Sequence, residues 1–402
     1  MERFHNVFKI PAGPLEVRHQ PSGLNSQFND SQLSFAEYVA CNRDMLRMAH
    51  TKLGSSDLDR VVDGNVPFEL KPSAGAPDGQ QKPYRRGVLL THGLTSSPYF
   101  MRQLAVFFQE NGFRVMAVLL PGHGTQPGDL LDVRWREWRK TVAYGANKLA
   151  EEVDEVYLAG YSVGATLSAL HSFHDSRVRG LFLFSPAIKI TSRVPFASMY
   201  KLYSWLIPAG KWLEIMPDRD IYKYESFAKN AAVQAHRLIR NLKTQLQLRD
   251  LNMPIFAAAS EDDETVEASA TIAFMARARH SLSKLVLYTT DTEKARPGFT
   301  SERLELVDSV VPEQRILSSS HMGIVLPADE AHYGFAGDYS NCIHYFSAHK
   351  EKYQVCMNNP ATDLQGELTE QNLKSGILRR LMYNPKFDAL KTSMRRFIES
   401  LP

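Results

Sequence analysis

The chain is 402 residues long, 44% hydrophobic and 23% charged, the profile of a soluble globular protein with room for a large core and for insertions or further domains. A formal net charge of +3 is nearly neutral at this length and gives no electrostatic case for a nucleic acid or an anionic membrane as partner. No run is long and uncharged enough to span a bilayer, and the first residues lack the apolar core of an export signal, so the expectation is a cytoplasmic protein without stable membrane insertion.

Residues 1–83 carry one strong helical pattern, with Phe35, Tyr38, Val39, Met45 and Leu46 on one side and Ser34 and Glu37 placed as a capping box. A short strand at residues 66–70 and a Pro- and Gly-rich loop follow, so this region reads as a helical extension. From residue 84 the character changes. Buried-strand runs at 87–91 and 113–120 flank a helix that Ser97 caps and Pro98 opens, with Phe100, Leu104, Phe107 and Phe108 inward. A helix with Trp135, Trp138, Val142 and Leu149 in step comes next, then strands ending near Tyr161 and Phe184. Strands alternating with helices predict a parallel sheet covered on both faces.

The interval 188–251 is too long for one crossover helix and leaves the sheet at its carboxyl end, where ligands bind in such folds. It reads as a helical lid. Tyr200, Tyr203, Leu206 and Trp212 are its candidate substrate contacts, against the competing reading that they form the lid's own core. The sheet resumes at 254–259, a helix runs to about residue 279, and a strand spans 285–289. Residues 291–312 read as irregular, 327–375 as an excursion rich in Tyr, His and Asn, and the chain closes on an amphipathic helix from Phe387 to Leu401. The domain reading is therefore 1–83 extension, 84–187 and 252–326 core, 188–251 lid, and 327–402 excursion plus a terminal helix completing the core. The three cysteines, Cys41, Cys342 and Cys356, show no metal spacing; Cys342 and Cys356 could pair, but the state expected of them in a cytosol is two separate thiols.

Around Ser162 the sequence reads V-Y-L-A-G-Y-S-V-G-A-T-L-S-A over residues 156–169. An apolar run ends in G-x-S-x-G and a small-residue helical pattern begins at once, the strand-to-helix setting in which a serine stands exposed on a sharp turn. Acyl transfer by such a serine needs a base, a carboxylate to orient the base, and donors for the oxyanion. The chain offers Ser162, then Asp263 (with Asp262 adjacent), then His321, each after a strand.

Taken together, His92-Gly93-Leu94-Thr95, Pro121-Gly122-His123-Gly124, Gly160-Tyr161-Ser162-Val163-Gly164, the turn Asp263-Glu264-Thr265-Val266, and Ser320-His321 resemble the α/β-hydrolase superfamily. Within it they resemble the bacterial carboxylesterase and monoacylglycerol-lipase-like group, over residues 84–322 and again in the terminal helix. The resemblance implies a mostly parallel central sheet with helices on both faces and an inserted lid. It makes Ser162 the nucleophile, His321 the general base, Asp263 rather than Asp262 the orienting carboxylate, and the backbone N–H groups of Leu94 and Val163 the oxyanion donors. His92 and His123 are read as loop-shaping residues, and His332 and His344 as minor alternatives for the base. The expectation is a serine hydrolase of carboxylic esters with short to medium acyl chains. It needs no metal and no organic cofactor, its substrate is a small-molecule ester, and its oligomeric state is left open. A thioesterase or acyltransferase on the same residues, and a non-catalytic binding protein on the same fold, are the rival readings.

Overall fold

The computed structural model describes residues 11, 13–72, 82–190, 207–358 and 363–402. The chain divides into two compact units, one of Glu2–Phe182 with Thr191–Arg249, the other built from Leu183–Ile190 and Asp250–Pro402.

In the first unit, α1 (Phe35–Leu53) opens on the expected capping box: Ser34 Oγ accepts from the Glu37 N–H, and Glu37 accepts from the Ser34 N–H. Then come α2 (Leu58–Asn65), β1 (Phe68–Leu70), β2 (Tyr84–Thr91), α3 (Arg102–Glu110), β3 (Phe113–Val118), α4 (Trp135–Glu152), β4 (Val153–Tyr161) and α5 (Val163–Ser172), while β5 (Val178–Phe184) has its last two residues in the second unit. Every side chain of β3 is buried, and so is every side chain of β4 from Val156 onward, as continuous apolar strands of a parallel sheet require. β2 pairs in parallel with both β3 and β4, with Thr91 opposite Val118 on one side and Gly160 on the other. That register brings the three loops that leave these strands to one end of the sheet. The edge strand β1 runs antiparallel to β3. The N-terminal helices are fastened beside it: Leu46, Val62 and Val66 pack on Leu119, and the Tyr38 hydroxyl donates to the Leu119 carbonyl at 3.0 Å while accepting from its N–H at 3.1 Å.

Of the interval expected to form a lid, residues 191–206, which include Tyr200 and Tyr203 together with Leu206, lie outside the described residues. The remainder is a two-stranded antiparallel pair, β6 (Trp212–Glu214) with β7 (Phe227–Ala228), and the long α6 (Lys229–Leu248). α6 packs on α4 and α5 with Ala231, Ala235, Leu238 and Leu242 buried, so its apolar stripe covers the core of this unit.

The second unit holds β8 (Ile255–Ser260), α7 (Ala268–Ala276), β9 (Lys284–Thr289), β10 (Leu304–Asp308), α8 (Lys350–Asn358), β11 (Leu364–Gly366), α9 (Glu370–Lys374), β12 (Leu378–Arg380) and α10 (Phe387–Ser400). The central sheet has eight strands in the order β1-β3-β2-β4-β5-β8-β9-β10, and β8, β9 and β10 pair in parallel. β10 falls inside the stretch expected to be irregular. It is a half-buried edge strand of five residues, and its Leu304-Glu305-Leu306 alternation was too short to stand out from the polar sequence around it. α10 buries Phe387, Leu390, Met394 and Phe397, the last 5.5 Å from the Phe256 ring of β8.

Cys342 and Cys356 form a disulfide, which corrects the expectation of two thiols. Residue spacing did not reveal that the fold buries both in one cluster with Tyr345 and Tyr353, and the pairing removes the reduced-thiol argument for a cytosolic location. No helix among the described residues is long and apolar enough to cross a membrane.

Candidate active site

Ser162 sits between β4 and α5 with φ 55° and ψ −115°, a positive-φ conformation that a residue with a side chain adopts only under strain. The two motif glycines explain how the turn is possible. A Cβ on Gly160 would lie 2.3 Å from the Gly164 backbone, and one on Gly164 would lie 2.1 Å from the Thr91 carbonyl oxygen. Both approaches are backbone to backbone, so no rotamer change could relieve them. Val163 is the first residue of α5, and the opening N–H groups of a helix have no acceptor within it. The loop after β2 borders the serine, since a Cβ on Gly93 would come within 3.1 Å of Ser162 Cβ; Leu94 follows it, half-buried.

His92 and His123 shape these loops. The His92 Nε2 accepts from the Leu120 N–H at 3.0 Å and its Nδ1 donates to the Gly93 carbonyl at 2.9 Å. Burial, with His123 beside it, holds the His92 imidazole well below its usual range; burial also brings His123 down to about 4. Both rings are thus neutral hydrogen-bonding struts at pH 7. The Thr95 carbonyl accepts from the Tyr224 N–H at 2.8 Å, and Tyr99 stacks on Tyr222 at 3.6 Å, so the segment between β6 and β7 braces the same loop. Trp212 is buried, its ring edge-on to His19 at 5.1 Å, and this described contact is packing.

In the second unit, the structure brings Asp263 and His321 together. His321 Nδ1 lies 2.6 Å from Asp263 Oδ2, and both side chains are almost fully buried. The other carboxylate oxygen of Asp263 accepts from the Thr265 N–H at 2.7 Å and the Val266 N–H at 3.0 Å, fixing the plane of the carboxylate. Asp262 points elsewhere: its Oδ1 accepts from the Thr290 hydroxyl at 3.4 Å, and its buried Oδ2 has no hydrogen-bond partner among the described residues. Burial, with the negative Glu261 nearby, pushes the Asp262 carboxyl up to about 6. His332 stacks on Tyr339 and His344 packs on Tyr345, within the excursion.

Sequence reasoning missed two buried charged residues behind His321. Glu367 Oε2 accepts from the backbone N–H of His321 at 3.0 Å, and Arg380 pairs with the same carboxylate. Burial opposes ionisation of Glu367, but Arg380 and the N–H groups of His321 and Leu368 outweigh it and hold the carboxyl below its usual range. No motif marks either residue; only the pairing of β11 with β12 brings them together.

A parallel sheet with a strained serine between strand and helix, flanked by glycines that admit no side chain, defines an α/β-hydrolase. The chain belongs to the Hydrolase_4 family, whose model is described as serine aminopeptidase, S33, and matches residues 82–290. It is 28% identical over 181 residues to a thermostable monoacylglycerol lipase of Bacillus sp. (strain H-257), covering 45% of this chain and 71% of that one. A carboxylesterase of Bacillus subtilis (strain 168) is 23% identical over 189 residues, covering 45% and 73%. Among solved structures, one from a study of the metagenome-derived lipolytic enzymes LipS and LipT aligns with a TM-score of 0.44 at 21% identity, over 55% of this chain and 86% of that one.

Proposed function

We propose that this hydrolase cleaves carboxylic esters of short to medium acyl chains through an acyl-enzyme, with Ser162 as nucleophile, His321 as base and then acid, and Asp263 as the orienting carboxylate. The observation that carries the reading is the buried His321 Nδ1 to Asp263 Oδ2 contact at 2.6 Å. It fixes the tautomer in which Nδ1 bears the proton, so that Nε2 is the basic atom. In the proposed cycle the Ser162 hydroxyl proton passes to His321 as Oγ bonds to the ester carbonyl carbon. The carbonyl oxygen, now negative, is received by the N–H groups of Leu94 and Val163. The C–O bond to the alcohol breaks as His321 returns the proton to the leaving oxygen, and water repeats the sequence to release the acid. The ester substrate is also that of the enzymes named in both curated relatives, a lipase and a carboxylesterase.

Tyr200, Tyr203 and Leu206 are proposed to line the acyl end. If they do, each methylene they bury contributes at most ~0.8 kcal/mol, so lengthening the acyl chain by two carbons raises kcat/KM about tenfold until the pocket is full. A p-nitrophenyl ester series from acetate to decanoate measures this directly, with acyl-CoA thioesters alongside. A rise and plateau below ten carbons is expected. Turnover of thioesters but not esters would contradict the substrate class, and a flat series would contradict the acyl-contact role.

A further inference from the structure

The excursion after His321 is built around a buried ion pair. Its β11 runs beside the chain that leads into the histidine, with the Leu317 N–H donating to the Gln365 carbonyl at 2.8 Å and the Gln365 N–H to the Arg315 carbonyl at 2.9 Å. Glu367 follows at once, its side chain fully buried. Besides the His321 N–H, its carboxylate takes the Leu368 N–H at 2.8 Å and one Arg380 terminal nitrogen at 2.9 Å, and Arg380 Nε stands 2.8 Å from Glu367 Oε1. That same Arg380 nitrogen donates to Thr265 Oγ1 at 2.6 Å. Thr265 belongs to the turn that grips Asp263 through its own N–H. The contacts therefore close a ring: His321 to Glu367, to Arg380, to Thr265, to Asp263, and back to His321.

A buried ion pair is weak support for stability, because its desolvation cost often cancels its attraction and apolar residues replace it without loss. A ring that fixes the backbone of a histidine on one side and the turn of its carboxylate on the other has a different use. We propose that Glu367 and Arg380 are positioning residues that hold the His321 and Asp263 loops in register for proton transfer. The inference rests on the reading of His321 and Asp263 as the acid–base pair. Both residues lie beyond the stretch 82–290 that the family model matches, and the proposal gives the chain between His321 and α10 a role in the reaction.

The test uses the full chain and a short-chain ester. Thr265→Val removes one link while the ion pair stays intact, and Glu367→Gln combined with Arg380→Met removes both charges together, which avoids an orphaned buried ion. Each is checked for cooperative thermal unfolding before assay. The expected result is a loss of about tenfold to a hundredfold in kcat with KM within twofold of wild type, as for a misplaced base rather than a lost binding contact. The single variants add a signature that a purely structural role would not produce. Of the charged groups around this pair, Asp263 meets the imidazole itself, Glu367 accepts from the His321 backbone N–H, Arg380 reaches Glu367 and Thr265, and Asp262, next to Asp263 in the chain, accepts from Thr290. Glu367→Gln leaves Arg380 unbalanced and moves the acid limb of kcat/KM to lower pH, and Arg380→Met leaves Glu367 unbalanced and moves it to higher pH. Wild-type kcat in folded Thr265→Val and in the double variant, or an acid limb that does not move in opposite directions, overturns the proposal. His321→Ala is run beside them: if it retains activity, the acid–base reading itself has failed, whereas if it is dead and the ring variants are wild type, only the positioning role falls.

Discussion

Asp262 and Asp263 are neighbours of the same chemistry in opposite environments. Asp263 is gripped by two N–H groups and the His321 ring, whereas Asp262 is half-buried with one oxygen unpartnered. Asp263→Asn should leave the fold intact and lower kcat by up to ~10⁴, because an amide at that place favours the wrong imidazole tautomer and cannot stabilise the cation. Asp262→Asn should keep activity within a few-fold. It should also change stability with a sign set by the carboxyl's raised range. Between 3.8 and about 6 the folded protein keeps a proton that the unfolded chain has lost, so stability falls as pH rises through that window. After solvent screening the penalty is about 1–2 kcal/mol, and Asp262→Asn should recover it at pH 8 but not at pH 3.5. Urea unfolding of both proteins at the two pH values measures it. Equal gains at both, or loss of activity in Asp262→Asn, would contradict this division of roles.

At the scale of elements, the excursion between His321 and α10 is where sequence reading stopped. Strands β2 to β5 and helices α4 and α10 were legible because their apolar runs and three- and four-residue spacing are long enough to stand clear of composition. β11, α9 and β12 are three to five residues each and owe their existence to what they pair with. The same holds for the residues: Ser162, Asp263 and His321 fall within motifs, while Glu367 and Arg380 acquire meaning only from long-range contact. The Cys342–Cys356 disulfide closes a loop of 14 residues here, next to Asn341, whose carbonyl accepts the Arg380 N–H at 3.0 Å. Closing such a loop restricts the unfolded chain by ~3 kcal/mol. Replacing both cysteines with alanine should lower unfolding stability by about that amount, and reductant should have the same effect on wild type and none on the variant. An unchanged midpoint in urea would mean that the bridge braces nothing.

For the whole molecule, the account rests on one serine being chemically unlike every other. Ser162 sits on a strained turn that its flanking glycines permit, with a helix starting behind it, and in the proposed cycle an imidazole removes its proton. A fluorophosphonate forms a stable adduct only with a serine activated in this way, and the adduct survives digestion. The protein incubated with such a probe and mapped by mass spectrometry should carry one label, on Ser162, with esterase activity lost in proportion to labelling and no label on the Ser162→Ala or His321→Ala variants. Labelling at another serine, or an active Ser162→Ala protein, would contradict the account.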